Sequence, residues 1–359
     1  MKESVNIGFR VDSSNTIGTG HLVETVTLIR EMRKVIDAKP LVIAHRNRFT
    51  REKLKSLRDV KIRYLPQFPS EEEETAEIMK ILEAAGCRHL ITNLLHRTER
   101  YYLNLYRRLS TLCVVLDNEI HAQVPATVVV NFSICQNRDF YRRCGKYETK
   151  YLVGPKYYPM DDAIKDFRPP SIAGPVKNIF LNQGGTDPYG LTLKILRAVK
   201  EILIDQEVHV VLGGGMRKRH LREIDRLVPD LGGNYRFYYN VSPRQVYELM
   251  SASDLAISAA GNALYELAYL GVPTLVVSHH ERHARVAGQF EKAGASIHAG
   301  IGTDLTEAAL AAAVRGLLDD ERKRRRMSRN ARRISNGKGA ENIVKELTAY
   351  WRKDLLSSP

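Results

Sequence analysis

The sequence predicts an α/β protein made of two successive parallel sheets, each covered by helices. Three observations carry that prediction. Short apolar runs alternate with amphipathic stretches through residues 1–155, the pattern of repeated strand–helix–strand units. A proline-rich stretch interrupts the alternation, which restarts and continues through residues 176–335. In both halves, glycine-containing loops directly follow strands, the end at which parallel sheets hold ligands. Two such sheets joined by a linker imply a central cleft that both domains face.

In the first half, runs at 5–10, 41–45, 61–65, 89–93 and 112–116 read as buried strands, being short, apolar and bounded by polar residues. Amphipathic stretches at 21–35, 51–57, 73–85 and 99–109 read as the helices between them. Further strands are expected at 127–130 and 149–153. Then Pro155, Pro159, Pro169, Pro170 and Pro175 crowd together. Proline fixes φ and donates no hydrogen bond, so residues 156–175 suit a linker better than a sheet or helix. In the second half the strands are expected at 177–181, 207–212, 235–239, 255–258 and 274–278. The helices fall at 191–203, 219–227, 244–250, 263–270 and 284–293, followed by a helical tail from 305 to about 351. Residues 336–359 are expected as a terminal helix able to pack back on the first domain.

Composition narrows the function classes. The chain has 359 residues, enough for two sizeable cores, and its 55 Lys and Arg against 41 Asp and Glu give a charge of +14. About half of that excess lies in the last forty residues, where Arg322 to Arg326 is an unbroken basic run. Such a run can meet nucleic acid, but no aromatic residues alternate with it as a stacking platform requires. A solvated helix face is the expected reading, with no nucleic-acid partner. No stretch of about 18 uncharged apolar residues occurs, so no membrane span is expected. The start lacks the apolar core of a signal peptide, and the cysteines (Cys87, Cys113, Cys135, Cys144) form no C-x-x-C pair. Both suit a reducing cytoplasm. The adjacent pairs Asp161-Asp162 and Asp319-Asp320 lie in linker and tail rather than in a D-x-D motif. No metal and no cofactor are therefore expected, and the oligomeric state is left open.

Three strand–loop–helix junctions could carry chemistry. The first runs from Arg10 to His21, with Asp12 in the loop and Gly18 and Gly20 leading into a helix. Glycines allow the backbone to approach a ligand, and a helix start favours anions. Imidazole accepts a proton near neutral pH, which makes His21 either a general base or a residue that merely packs the turn. The second junction holds Gly184, Gly185, Asp187 and Pro188, where the last two read as a capping pair. Gly213 to Gly215 repeats the arrangement, either as a flexible loop or as a phosphate cradle. The third runs through Gly261 and Asn262 to Glu266. There the carboxylate is placed either to accept ribose hydroxyls or simply to be solvated.

These motifs resemble a known family. Phe9-Arg-x-Asp-Ser-Ser-x-x-Ile-Gly-x-Gly-His21 is similar to the opening motif of the UDP-2,4-diacetamido-2,4,6-trideoxy-β-L-altropyranose hydrolases of pseudaminic acid biosynthesis and of related spore-coat polysaccharide proteins. Leu152-Val-Gly-Pro-Lys-Tyr157, Gly184-Gly-Thr-Asp-Pro188 and Gly337-Lys-Gly-Ala340 resemble later landmarks of that family. Residues 258–273 resemble the nucleotide-binding segment of the lipid-II-forming N-acetylglucosaminyltransferase. The resemblance implies a GT-B fold and a metal-independent UDP-sugar hydrolase, in which His21 activates water against the anomeric carbon and UDP leaves. It implies that Arg10, Asp12, Gly18, Gly20 and Asp117 meet the sugar. Gly184, Gly185, Gly213, Gly261, Asn262, Glu266, Arg282 and His283 would then meet the nucleotide, with Glu266 on the ribose. A glycosyltransferase and a non-catalytic nucleotide-sugar-binding protein are the alternatives. The chain departs from the family at Glu24, where an arginine is usual, at Asn118, where a second aspartate is usual, and at Arg282-His283, where an Asn-Gln pair is usual.

Overall fold

The computed structural model describes residues 4–13, 20–47, 59–95, 97–109, 113–116, 124–136 and 147–356, together with residues 50, 51, 54, 55, 57, 139 and 141. The chain divides into two compact units, Met1–Asp161 with Lys338–Pro359, and Asp162–Gly337.

The first unit is built on a seven-stranded sheet in the order β3-β2-β1-β4-β5-β6-β7. Its strands are β1 (Ser4–Val11), β2 (Asp37–His45), β3 (Lys61–Leu65), β4 (His89–Asn93), β5 (Cys113–Leu116), β6 (Val128–Asn131) and β7 (Lys150–Val153). Every neighbouring pair is parallel. Ile7, Phe9 and Val11 of β1 are fully buried, as the centre of a doubly covered sheet requires. Pro40 sits inside β2 opposite Ile7. There β2 pairs with β1 alone, since pairing with β3 begins only at Leu41, so the proline lies where the strand has one open edge.

Helix α1 (Gly20–Val35) follows β1, α2 (Glu71–Ala84) follows β3 and α3 (Glu99–Arg108) follows β4. Ser70 caps α2 by accepting from the Glu73 N–H, and four glutamates fill its first turn, where the helix dipole favours negative charge. The helix expected over 51–57 falls partly outside the described residues; Thr50, Arg51 and Leu54 are helical. The C-terminal helix (Gly339–Leu356) belongs to this unit. Its Trp351 is buried edge-on to His89 at 6.1 Å between ring centres, and Asn342 donates to the Lys156 carbonyl at 2.8 Å.

The second unit has a six-stranded parallel sheet in the order β10-β9-β8-β11-β12-β13. Its strands are β8 (Asn178–Asn182), β9 (Glu207–Leu212), β10 (Tyr235–Tyr239), β11 (Leu255–Ser258), β12 (Thr274–Ser278) and β13 (Ser296–Ile301). The helices are α4 (Leu191–Val199), α5 (Lys218–Leu227), α6 (Pro243–Ser251), α7 (Asn262–Leu270), α8 (Glu281–Lys292), α9 (Glu307–Leu318) and α10 (Glu321–Ala331). Ile179, Leu181, Val208, Val210, Ile257 and Leu275 form one core with the buried faces of α4 and α9. In each sheet the strand order reverses beside the first strand, at β1/β4 and at β8/β11, the position at which such sheets open a ligand crevice.

Two expectations change. β13 was not foreseen, because Ser-Ile-His-Ala-Gly-Ile is only half-buried, pairs with β12 through a register shift and contains Gly300 at φ +127°. The single tail becomes three helices, since Asp320 stops the chain and caps α10 by accepting from the Lys323 N–H at 2.8 Å. Nor is the basic run a uniformly solvated face. Arg324 is buried and donates to the carbonyls of Leu317, Leu318 and Gly174, each at 2.6 Å, satisfying the open end of α9. No helix among the described residues is long and apolar enough to cross a membrane.

Candidate functional site

In the second unit, the loops leaving β8, β9, β11 and β12 all lie at the carboxyl ends of the strands. Two of them are locked together. The Gly215 N–H donates to the Gly185 carbonyl at 3.0 Å. A Cβ on Gly213 would overlap the Gly185 backbone. Gly213 is therefore a close-packing glycine and is not free to flex. Gly184 differs: its φ of +80° favours glycine, and nothing lies within 4 Å of its Cβ position. Gly185 and Gly261 also face open space.

Asp187 does cap the helix after β8, but not as a helix-start pair with Pro188. Helix α4 begins at Leu191, and the fully buried Asp187 carboxylate reaches forward to accept from the Leu191 and Thr192 N–H groups, both at 2.8 Å. It does so from a left-handed backbone, φ +37°.

Gly261 precedes α7 without a side-chain cap, leaving the first N–H groups of that helix to other partners. Asn262 opens the helix and Glu266 follows one turn on. Glu266 is half-buried and accepts from the Tyr247 hydroxyl at 3.3 Å, so it is not simply a solvated helix residue.

After β12 comes a cluster of imidazoles. His280 and His283 lie 4.2 Å apart and His279 and His283 5.2 Å apart, ring centre to ring centre. Burial, and then the charges it would share with His280, His279 and Arg282, pushes His283 down to about 3. Burial and Arg282 likewise hold His280 below the usual imidazole range. Burial lowers His279 as well; the Asp187 carboxylate pulls the other way, His280 adds to the lowering, and a ring hydrogen bond to the Gln183 backbone opposes it. All three rings are thus uncharged near neutral pH. Arg282 is half-buried on the first turn of α8.

In the first unit, Arg10 and Asp12 are brought together, but with partners that the sequence did not indicate. The fully buried Arg10 guanidinium donates to both oxygens of Asp12, at 2.6 and 2.9 Å, and to Glu74 at 2.8 and 3.1 Å. Arg97 approaches the same two carboxylates at 3.4 and 3.2 Å, and the Tyr101 hydroxyl donates to Glu74 at 3.0 Å. Burial pushes the Asp12 carboxyl up, but the Arg10 guanidinium beside it prevails and holds it below the usual carboxylate range. Arg10 is therefore committed to anchoring Asp12 and Glu74.

His21 occupies the first turn of α1 and is 9% exposed, with Nδ1 buried and without a hydrogen-bond partner among the described residues. Its carbonyl accepts from Asn93 Nδ2 at 3.0 Å and from the Thr25 hydroxyl at 2.8 Å. The same Asn93 nitrogen donates to Glu24 at 2.9 Å. Glu24, 1% exposed, is thus folded inward, and its charge is not presented at the surface of the junction. Gly20 opens α1, while Gly18 and Asp117 lie outside the described residues. Among the described residues, no group of three or more His, Cys, Asp or Glu side chains is arranged to hold a metal ion.

Comparison with known proteins bears on the second unit most directly. Residues 171–334 match the family model for glycosyl transferases group 1. Over 208 residues the chain is 24% identical to the spore coat polysaccharide biosynthesis protein SpsG of Bacillus subtilis, covering 58% of this chain and 60% of that one. Over 206 residues it is 25% identical to the pseudaminic acid cytidylyltransferase and UDP-2,4-diacetamido-2,4,6-trideoxy-β-L-altropyranose hydrolase of Helicobacter pylori, covering 55% of this chain and 36% of that one. The chain thus spans roughly a third to three-fifths of the length of the curated relatives it matches. The crystal structure of MurG from Acinetobacter baumannii aligns at a TM-score of 0.68 and 14% identity, covering 96% of this chain and 99% of that one. The chain has the GT-B plan: two Rossmann-like α/β units with parallel sheets.

Sequence reasoning missed two groups of residues. Glu74 had no signal, lying within a run of four glutamates. Gln183 and His279 did have one, since each directly follows the last residue or two of a strand whose successors had been singled out.

Proposed function

We propose that the protein is a nucleotide-sugar hydrolase that cleaves the anomeric C–O bond of a UDP-sugar in surface-polysaccharide or nonulosonic acid biosynthesis. One observation carries the reading: His21, at the junction whose motif resembles that of the hydrolases, has a buried Nδ1 with no hydrogen-bond partner among the described residues. His21 takes a proton from water, the water oxygen bonds to the anomeric carbon, and the carbon–oxygen bond to UDP breaks with its electron pair leaving on the diphosphate. The uncapped start of α7 and the open faces of Gly184, Gly185 and Gly261 suit the diphosphate, whose charge a helix start stabilises. Glu266 accepts from the ribose hydroxyls.

Transfer to an acceptor hydroxyl is the second reading, favoured by the match of residues 171–334 to glycosyl transferases. Incubating the protein with a panel of UDP-sugars separates the two. Release of free sugar and UDP without added acceptor supports hydrolysis; turnover only with an added acceptor supports transfer. Binding without turnover under either condition would remove both.

A further inference from the structure

We infer that Gln183, His279 and Tyr189 recognise the uncharged sugar ring of the ligand rather than its phosphates; this rests on the nucleotide-sugar reading above. The first observation is an accumulation of unmet polar groups at one place. Gln183 is 1% exposed, and among the described residues neither its side-chain oxygen nor its nitrogen has a partner. His279 is 8% exposed, with Nε2 buried and unpaired. Buried polar groups are nearly always hydrogen-bonded, and leaving one unmet costs about 1–3 kcal/mol. Two such residues in contact through the Gln183 backbone therefore mark a position that a ligand completes.

The second observation fixes the chemistry. The His279 ring bonds to the Gln183 backbone in the sense that favours a ring proton. Burial keeps the ring uncharged near neutral pH, so it offers a phosphate no positive charge, and with the ring proton on Nδ1 the buried Nε2, unpaired among the described residues, presents a lone pair. A lone pair needs a donor. A sugar hydroxyl or acylamino N–H supplies one, whereas an ionised phosphoryl oxygen has none and would face the lone pair directly. Asp187, a buried carboxylate near His279, further disfavours an anion at this spot. Gln183 offers both a donor and acceptors, which suits the dual character of hydroxyl groups.

The third observation is Tyr189. It follows the same β8 loop, leaves half of its surface exposed and stands edge-on to His279 at 5.9 Å between ring centres. An exposed aromatic face beside hydrogen-bonding groups matches a sugar, which has an apolar face and a polar rim.

Calorimetry with UDP and with the UDP-sugar chosen by the panel above tests the inference, in a His21→Ala background so that the sugar is not released. His279→Phe keeps a ring but removes the acceptor, and Gln183→Leu keeps the volume but removes the amide. Each is expected to weaken the UDP-sugar about tenfold while leaving UDP unchanged, a loss of the size expected for one buried hydrogen bond. Tyr189→Ala should act in the same direction. Equal losses for UDP and UDP-sugar would reassign the residues to phosphate and overturn the inference, as would no loss for either ligand. UDP bound with every UDP-sugar rejected would also overturn it and leave the nucleotide reading standing. Binding of neither ligand would overturn both.

Imidazole nitrogen chemical shifts at pH 7 give a check independent of affinity. Nε2 of His279 is expected unprotonated in the free protein, and a proton found there would remove the argument for a donor-bearing ligand.

Discussion

The two units treat the carboxyl ends of their strands in opposite ways. In the first, the charged side chains there largely satisfy one another: Arg10 and Arg97 share Asp12 and Glu74 and Tyr101 joins the group, with Arg97 Nε alone left over among its atoms. In the second, Gln183, His279 and His283 keep polar atoms that nothing among the described residues satisfies. The difference teaches that a buried polar cluster is not by itself a functional sign. A closed cluster stabilises its own loop; an open one leaves its hydrogen bonds for something else.

The largest expected effect comes from His21, the residue of the first unit that stands outside its closed cluster. His21→Ala should lower kcat by about 10²–10⁴-fold, the usual worth of a positioned base, with the melting temperature little changed. Steady-state rates and a thermal melt on the same variant decide it; a well-folded protein of full activity would remove the base.

Next is the closed cluster itself. Glu74→Ala leaves the Arg10 charge buried beside a single remaining carboxylate from its own loop. Removing one partner of a buried pair is expected to destabilise by about 3–5 kcal/mol, read from chemical denaturation. A change under about 1 kcal/mol would place these charges among weakly contributing surface pairs.

Glu266 sharpens the comparison at the open end. A carboxylate that binds ribose equally in ground and transition states should, as Glu266→Ala, raise KM about tenfold and leave kcat nearly unchanged. A fall in kcat with KM preserved would move Glu266 from binding to chemistry.

The smallest effect is in the response to acid, and it separates the units by pH. His283 is lowered from an ordinary 6.5 to about 3 in the folded chain. Between those values the unfolded chain binds a proton that the folded one refuses, so stability falls as pH falls below about 6.5. His279, His280 and Arg282 face this ring, and the first two titrate in the same sense. Asp12 also contributes stability that acid removes, but only as pH falls below its ordinary 3.8. Melting temperatures from pH 7 to 5 should therefore drop less in His283→Gln than in the unaltered chain, while Asp12→Asn leaves that interval unchanged.

Much of the fold was legible because buried parallel strands are apolar along their whole length, as in residues 89–93 and 274–278, both buried throughout. β13 was not, since an edge strand with one covered side carries a weaker pattern and Gly300 interrupts it. Of the glycines singled out in the sequence, Gly184 and Gly261 do mark an open backbone, whereas at Gly213 the same residue type answers to packing. Beyond Asp12, the residues gathered around Arg10 could not be read. Glu74 and Arg97 reach it through folding, from 64 and 87 positions away, and a sequence holds no local trace of such a meeting.

The contact between Gly213 and Gly185 has a practical consequence for anyone wishing to redesign ligand preference. Because the backbones of the two loops touch without intervening side chains, neither can be exchanged for a homologous loop alone. A graft after β9 bearing any Cβ at position 213 would lift the β8 loop and displace Gln183 and Asp187 with it. The two segments form a single transplantable cassette, inherited or replaced together.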